Sequence, residues 1–284
     1  MVDAFRPETL QEALLIREKK GAVPFLGGTD LMVRYRSPAG VLPQFPWPIL
    51  YLSQLKELHV LEEHTDILKI GAGVTLTEME HSALVPSLLR TAVSQMAAPA
   101  LRNIGTLAGN ICNASPAGDT ICALYVLEAS VELVSAASSR ILPIEEFISG
   151  PGKTVLSPDE ILVSVRIPIK SFTTAYYRKV GTRRANALSK LSFCGLAEVK
   201  NGRIDDLRIA FGAVGPTVVR SAETEKKLIG CARTDIDAAA DQIYEDYTAL
   251  IQPIDDQRST AVYRKQVALN LLRQFTLQLI KEIQ

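Results

Sequence analysis

Two glycine-bearing stretches decide the fold, LGGTD at residues 26–30 and IGTLAGN at residues 104–110. The first follows an apolar run at 23–26, and a helix is expected to begin at Asp30, which makes the stretch a strand-to-helix turn. Adjacent glycines permit positive φ and a close approach of a ligand to the main chain. Successive amide N–H groups can then bind an anion, with help from the dipole of the following helix. A turn that needs glycine for its shape alone is the alternative.

The second stretch continues to Asp119 through NASPAGD at residues 113–119. Between Asn103 and Asp119 small residues crowd the chain, and no helical or strand period is visible. The Thr, Asn, Ser and Asp side chains offer hydrogen-bonding groups beside a backbone that a ligand can approach. This combination indicates a cofactor that carries a polyol or a phosphate. A surface loop rich in turn-forming residues is the alternative.

The periodicity of the remaining chain predicts an α+β protein with a two-part front section and a smaller back domain of sheet plus helices. A hairpin turn is predicted at Asn201-Gly202. Predicted helices lie at 9–20, from 30, from 77, within 84–98, and at 120–129, 222–228, 235–244 and 259–283. Predicted strands lie at 23–26, 49–52, 67–70, 131–134, 140–142, 160–168, 175–180, 191–199 and 204–214.

Composition excludes several classes of function. The 284 residues carry 31 Lys plus Arg and 31 Asp plus Glu, and a neutral chain lacks the basic surface that nucleic acid requires. No signal peptide or membrane-length apolar run is visible, so a soluble cytoplasmic protein is expected. Without a CxxC pair, the cysteines are expected to be reduced, mostly buried thiols and not metal ligands. They are Cys112, Cys122, Cys194 and Cys231.

Three further features predict no chemistry. GKT at 152–154 lacks the earlier glycine of a P-loop, and GAG at 71–73 lacks the third glycine of a dinucleotide fingerprint. Both are expected to be turns. His59, His64 and His81 lie in polar surroundings without partner spacing, which favours surface roles over catalysis.

The two glycine stretches, in this order, resemble the paired FAD-binding motifs of the molybdenum-hydroxylase flavoprotein family. That family includes the FAD subunits of carbon monoxide, nicotinate and quinoline dehydrogenases and the flavin domain of xanthine dehydrogenase. Other segments are similar to the family as well: FRPETLQEAL at 5–14, LSPDEIL at 156–162, RIP at 166–168, and YRK at 177–179 with Arg183. The resemblance covers essentially the whole chain.

The resemblance implies a PCMH-type α+β fold in which two subdomains hold FAD, followed by a smaller α+β domain of antiparallel sheet plus helices. It places FAD-binding subdomain 1 at residues 1–56, FAD-binding subdomain 2 at 57–170 and the C-terminal domain at 171–284.

The resemblance also implies which residues bind the cofactor. Residues 26–30 would hold the pyrophosphate through backbone amides, and residues 106–110 would contact the phosphate and ribityl region. Asp119 matches an acid that hydrogen-bonds the cofactor, Leu162 and Lys179 match positions that line the flavin site, and Met96 corresponds to a side chain near the nucleotide end. The full set is Leu26, Gly27, Gly28, Thr29, Asp30, Thr106, Leu107, Ala108, Gly109, Asn110, Asp119, Leu162 and Lys179.

Two places depart from the family pattern. Cys112 stands where many relatives have an aliphatic residue near the isoalloxazine, where it would tune potential or oxygen reactivity. RRANA at 183–187 lacks the acidic residue that some NAD-using relatives carry, which argues against NAD as the final acceptor.

By this resemblance, the chain is the electron outlet of a molybdopterin-dependent hydroxylase or dehydrogenase of the xanthine dehydrogenase kind. FAD would take electrons from 2Fe-2S clusters on a small partner subunit, after hydroxylation at a molybdopterin-binding large subunit. The acceptor would be NAD, a quinone, ferredoxin or oxygen, and no side chain need act as a general base.

Two rival hypotheses stay open. A stand-alone FAD oxidoreductase acting on a small substrate would need a histidine or tyrosine poised at the flavin, and no such residue stands out. A non-enzymatic nucleotide-binding assembly subunit would have degraded glycine motifs, whereas both motifs are intact in this sequence.

Overall fold

The structure, a computed structural model, describes residues 2–183 and 186–283. Its strands are β1 (Ala4–Phe5), β2 (Val23–Phe25), β3 (Ile49–Tyr51), β4 (Leu61–His64), β5 (Ile67–Gly71), β6 (Ser130–Val134), β7 (Ser139–Pro143), β8 (Ile148–Gly150), β9 (Lys153–Thr154), β10 (Ile161–Pro168), β11 (Thr174–Val180), β12 (Leu191–Lys200), β13 (Arg203–Gly212) and β14 (Val219–Arg220). Its helices are α1 (Leu10–Lys20), α2 (Thr29–Arg34), α3 (Leu76–His81), α4 (Ser87–Ser94), α5 (Pro99–Arg102), α6 (Leu107–Asn113), α7 (Asp119–Val126), α8 (Ile144–Phe147), α9 (Ala222–Lys226), α10 (Arg233–Leu250) and α11 (Ala261–Glu282).

The chain divides into two compact units, and neither is continuous in sequence. The first unit contains the residues up to Val85, Ala97–Ala114 and Glu128–Pro168. The second contains Pro86–Met96, Ser115–Leu127 and the chain from Ile169 onward. These units group residues that contact one another in space, whereas the predicted domains are continuous stretches of sequence. The units therefore do not test the division at 1–56, 57–170 and 171–284, which stays a prediction.

The first unit is built on two sheets. One has the order β1-β3-β2 with parallel pairing, and the other has the order β4-β5-β10-β6-β7 with antiparallel pairing. Helix α1 begins after Thr9, whose side chain accepts from the Glu12 amide, and ends at Gly21, whose φ of 60° lets its amide reach Arg17 O. These are the N-cap and C-cap that the sequence predicts.

Helix α6 corrects the reading of residues 103–119 as a stretch without a period. The Thr106 side chain accepts from the Gly109 amide and so caps a helix that buries Leu107, Ala108 and Ile111. Gly109 and Asn110 have low helix propensity, which hides this helix in the sequence. Packing of its apolar face supplies the stability that propensity does not.

The second unit is built on the antiparallel sheet β11-β12-β13-β14. One face of the sheet carries Phe193 and Phe211 into an apolar core that includes Phe275 of α11 and Tyr247 of α10. Helix α7 packs on β12 and β13, and α4 packs on α7 and β11. Asn201 and Gly202 turn the β12–β13 hairpin with φ values of 52° and 70°, as the sequence predicts.

Several smaller expectations can now be judged. The three histidines are exposed, and Gly152 lies in the turn between β8 and β9. Cys122 and Cys194 are buried as expected, but Cys231 is half-buried and Cys112 is exposed, because Cys112 falls outside the buried face of α6. No helix in the described part of the chain is long and apolar enough to cross a membrane.

The contact between Gly195 and Phe275 provides a test of the second unit's core. A Cβ added at Gly195 would lie 2.6 Å from the Phe275 ring, which is fully buried. Gly195→Ala should therefore lower the free energy of unfolding by about 1–3 kcal/mol through overpacking. Urea denaturation followed by circular dichroism measures the loss. Gly150→Ala, where an added Cβ meets nothing within 4 Å, is the control, and an equal loss in both variants would contradict the packing argument.

Candidate functional site

The first glycine stretch is a turn that only glycine suits. Gly28 has a φ of 65° and stands at the N-cap of α2, and a Cβ added there would lie 2.1 Å from the Phe25 ring. A side chain at position 28 would therefore meet both backbone strain and a clash. The turn keeps its shape because Phe25 fills the space that a side chain would need.

The two glycine stretches contact each other in the first unit, main chain against main chain. A Cβ added at Gly27 would lie 1.9 Å from Ile104 O and 2.9 Å from the Gly105 Cα. Nearby, the Leu76 amide donates to Gly105 O, and Arg34 donates to the Asn113 side chain at 3.1 Å. The structure thus brings together the two stretches that the sequence singles out.

The amides of this turn are available to a ligand. Among the described residues, the N–H groups of Gly27, Gly28 and Thr29 donate to no backbone or side-chain acceptor. Successive free amides around a positive-φ glycine form a concavity that binds anions. Helix α2 has only six residues. The contribution of its dipole to anion binding is therefore expected to be small.

The other residues predicted in this unit differ in their solvent exposure. Leu26, Gly27, Gly28 and Thr29 are half-buried, and Asp30 is exposed. In the second stretch, Gly109 is exposed and Asn110 is half-buried, whereas the side chains of Thr106, Leu107 and Ala108 point into the unit. Leu162 is buried in β10, opposite Leu133.

A buried polar cluster lies in the second unit around Asp119, the first residue of α7. Lys179 Nζ lies 2.7 Å from one carboxylate oxygen of Asp119 and 3.0 Å from Gln95 O. The Ser189 hydroxyl donates to the other carboxylate oxygen. Only about a tenth of each ionic side chain is exposed (7% for Lys179 and 10% for Asp119). The Asp119 carboxylate is thus held at both oxygens.

Burial and the contacts with Lys179 and Ser189 have opposite effects on the pKa of Asp119. Burial raises the pKa of its carboxyl above the ordinary value, while the Lys179 charge and the hydrogen bonds from Lys179 and Ser189 oppose the rise. A buried carboxylate without such partners would neutralise itself by taking up a proton. Lys179 and Ser189 are therefore what favours the charged form in a buried place.

Helix α7 is fixed at its other end by two arginines. All of its residues are buried. Arg220 donates to Tyr125 O at 2.7 Å, and Arg208 donates to Val126 O at 3.0 Å. Glu225 pairs with Arg220 at 3.0 Å, and Asp206 pairs with Arg208 at 3.0 Å. An acid in the first turn and cations at the last carbonyls both suit the helix dipole.

Tyr177 lies on the same sheet face as Lys179, two residues along β11. Its hydroxyl is buried and has no hydrogen-bond partner in residues 2–183 and 186–283. Burial raises the pKa of this phenol well above its ordinary value, and the nearby Asp119 carboxylate and the Cys194 and Cys122 thiols raise it further. The hydroxyl is therefore a proton donor without an acceptor.

Sequence reasoning missed Gln95, Ser189 and the buried hydroxyl of Tyr177. Spacing by two residues from Lys179 would have placed Tyr177 on the same face. Nothing in the sequence marks Ser189 or the Gln95 carbonyl. Of the predicted residues, Asp119 and Lys179 meet in the second unit, and the others lie in the first.

The remaining flagged positions show no chemistry of their own. Cys112 has accessible surface although many protein atoms surround it, and that crowding raises the pKa of its thiol to about 12. Met96 is buried.

Arg184 and Ala185, from the segment that argues against NAD, lie outside the described residues. Within the described part of the chain, no group of His, Cys, Asp or Glu side chains is arranged to hold a metal ion.

The chain matches two family models that together cover most of its length. Residues 1–170 match a model described as the FAD binding domain in molybdopterin dehydrogenase. Residues 175–279 match the CO dehydrogenase flavoprotein C-terminal domain.

Individual relatives agree with these matches. The glyceraldehyde dehydrogenase medium chain of Sulfolobus acidocaldarius is 29% identical over 98% of this chain and 96% of its own length. The nicotinate dehydrogenase FAD-subunit of Eubacterium barkeri is 30% identical over 81% of this chain and 80% of its own. The structure of CO dehydrogenase from Oligotropha carboxidovorans has a similar fold, with a TM-score of 0.87 at 24% identity over 96% of both chains.

The ion pair between Asp119 and Lys179 can be tested by a double-mutant cycle. Asp119→Asn should cost about 3–5 kcal/mol of unfolding free energy, because it leaves the Lys179 ammonium buried and unpaired. Lys179→Met alone should also be costly, whereas the double variant should cost less than the sum of the two. Urea denaturation measures all four proteins. Additive losses would show that the two charges do not interact.

Proposed function

The chain belongs to the FAD-binding flavoprotein family of the molybdopterin dehydrogenases, and we propose that it is the electron-transfer subunit of such an enzyme. In this role it accepts electrons from iron–sulfur clusters on a partner subunit and delivers them to an external acceptor. The observation that carries the proposal is the contact between the two glycine stretches, beside which the Gly27 and Gly28 amides donate to no acceptor in residues 2–183 and 186–283.

The family confirms four predictions from the sequence: the recognition itself, the α+β fold with a flavoprotein C-terminal domain, the oxidoreductase class and FAD as the cofactor. Relatives are named as medium chains and as FAD subunits of nicotinate, xanthine and carbon monoxide dehydrogenases. These names imply enzymes of several subunits.

The first unit fits the pyrophosphate of FAD. An anion bound in the turn at 26–30 would receive hydrogen bonds from the Gly27, Gly28 and Thr29 amides, with no clash because positions 27 and 28 carry no side chain. We assign the exposed Gly109 and the half-buried Asn110 to the same cofactor, together with the backbone of residues 106–108. The domain division at 1–56, 57–170 and 171–284 is part of this proposal.

The second unit contributes Asp119 and Lys179 to the proposed set of cofactor-binding residues, and Leu162 of the first unit completes it. A carboxylate that is anchored by Lys179 and Ser189 keeps further lone pairs for a ligand donor. When bound, FAD supplies the redox chemistry, and the protein holds and orients it. No side chain is assigned a catalytic role.

The proposed partners are a molybdopterin-binding large subunit and a 2Fe-2S small subunit, and the acceptor is NAD, a quinone, ferredoxin or oxygen. The support for these partners is the naming of relatives as medium chains. The cytoplasm is the proposed location, which free cysteines support.

Gly28→Val should abolish FAD retention, because the valine side chain would clash with Phe25 and reshape the turn. Visible absorbance of the purified protein in the flavin band measures the loss, and hydrogen exchange of β11–β13 shows that the second unit stays folded.

The matched control is Gly40→Val, a glycine of similar φ (82°) where an added Cβ meets nothing within 4 Å. Flavin occupancy equal to wild type in Gly28→Val would contradict the pyrophosphate assignment. A wild-type chain that binds no added FAD would refute the proposed function and favour the assembly-subunit hypothesis.

Affinity purification of the chain from its native cells tests the partner proposal. We expect molybdenum and iron to co-purify in constant ratio with the flavin, because both metals would reside on the partner subunits. Elemental analysis of the purified complex measures them. Recovery of a flavin-loaded chain with neither metal would instead support a stand-alone FAD oxidoreductase.

A further inference from the structure

An exposed apolar surface lies in the first unit between residues 31 and 47. Helix α2 buries none of its residues, and its Met32 and Val33 are exposed. In the loop that follows α2, Val41 is exposed and Leu42 is 76% exposed. A single apolar side chain on a surface needs no explanation, whereas several in one segment mark an interaction site.

Aromatic rings hold this loop against the end of α2. The rings of Phe45 and Trp47 stack with their centroids 5.4 Å apart, and Tyr35, which follows α2, contacts both of them. Phe45 also contacts the ring of Phe25, which lies beside Gly28. Tyr35, Phe45 and Trp47 are only half-buried. The loop therefore has a defined place on the first unit and presents aromatic as well as aliphatic side chains to its surroundings.

The composition of the loop suits a protein interface. Aromatic side chains and methionine are enriched in the core of such interfaces, where aromatic residues often contribute most of the binding energy. Proline fixes φ, so a proline-rich loop has less backbone freedom to lose when a partner binds. The prolines of this segment are Pro38, Pro43, Pro46 and Pro48.

The charges of the segment indicate the kind of partner. Between residues 31 and 47 the only charged side chains are Arg34 and Arg36, and both are exposed. Neither forms an ion pair with an acid in residues 2–183 and 186–283. Two copies that met through this same surface would bring their arginines together without a carboxylate. The surface therefore fits a different chain, with apolar side chains at the centre of its contact area and carboxylates at the rim.

We propose that residues 31–47 form the surface through which this chain binds a different subunit of its enzyme, one that presents apolar side chains surrounded by carboxylates. The inference rests on the proposed function, because relatives are named as medium chains and as an FAD-subunit, which are parts of enzymes of several subunits.

Leu42→Glu tests the centre of the surface. A carboxylate at position 42 would lose its water in the complex without gaining a partner, and it would face the carboxylates of the other subunit. In cells that lack the native chain, the tagged variant should bring down about tenfold less molybdenum and iron per mole of chain than the tagged wild type. Its thermal midpoint and flavin content should equal those of the wild type, because the Leu42 side chain is exposed.

Two further substitutions control for exposure and for charge. Ile254→Glu is the matched control, because Ile254 is a 71% exposed aliphatic residue outside this surface; this variant should retain both metals. Arg36→Glu reverses a charge at the rim and should lower the recovery of both metals, whereas Arg36→Lys should retain it.

Hydroxyl-radical footprinting measures directly what covers the surface. Met32 and Trp47, the only tryptophan of the chain, should be less oxidised in the wild-type complex than in the isolated chain loaded with FAD. Full protection of both residues in the isolated chain as soon as FAD is added would assign the surface to the cofactor and overturn the inference. An isolated chain that is dimeric, and that becomes monomeric in Leu42→Glu, would assign the surface to a second copy and overturn it as well.

The elemental analysis separates this inference from the proposed function. Undiminished recovery of molybdenum and iron with Leu42→Glu, or an equal loss with Ile254→Glu, refutes the inference and leaves the proposed function standing. A wild-type chain that brings down neither metal refutes the proposed partners, and the inference with them.

Discussion

Helix α7 has every residue buried, so the chain itself must supply partners for the ends of the helix. Arg208 and Arg220 bind its last carbonyls, and Asp119 in its first turn is tied to Lys179 and Ser189. Each arginine is in turn neutralised by its own acid. Charge pairing at both ends therefore fixes where the helix lies on β12 and β13, and with it the cluster around Asp119.

The first unit depends on a steric constraint instead of an electrostatic one. Gly27 approaches the Ile104 carbonyl so closely that no side chain fits between them. Beside this contact, the N–H groups of Gly27, Gly28 and Thr29 donate to no acceptor among the described residues. Neither Gly27 nor Gly28 carries a side chain that could cover these donors.

Local rules explain which parts of the fold were predictable. Thr9 and Gly21 bound α1, and Asn201-Gly202 closes a hairpin, because caps and tight turns depend on a few adjacent residues. Helix α6 was missed because Gly109 and Asn110 disfavour a helix that only burial of its apolar face stabilises. Ser189 was missed for a stronger reason: its partner Asp119 is 70 residues away in sequence, and only tertiary structure brings them together.

The two units contain different kinds of polar group. The turn at 26–30 offers backbone amides, which bind anionic oxygen without a compensating basic side chain, and this agrees with a chain of zero net charge. The Asp119 cluster offers side chains whose charges are already balanced within the chain. Amides held by the main chain vary little with pH, whereas a buried carboxylate and a phenol respond to their surroundings. The donors of the glycine turn are therefore independent of pH, whereas the charged form of Asp119 depends on Lys179 and Ser189.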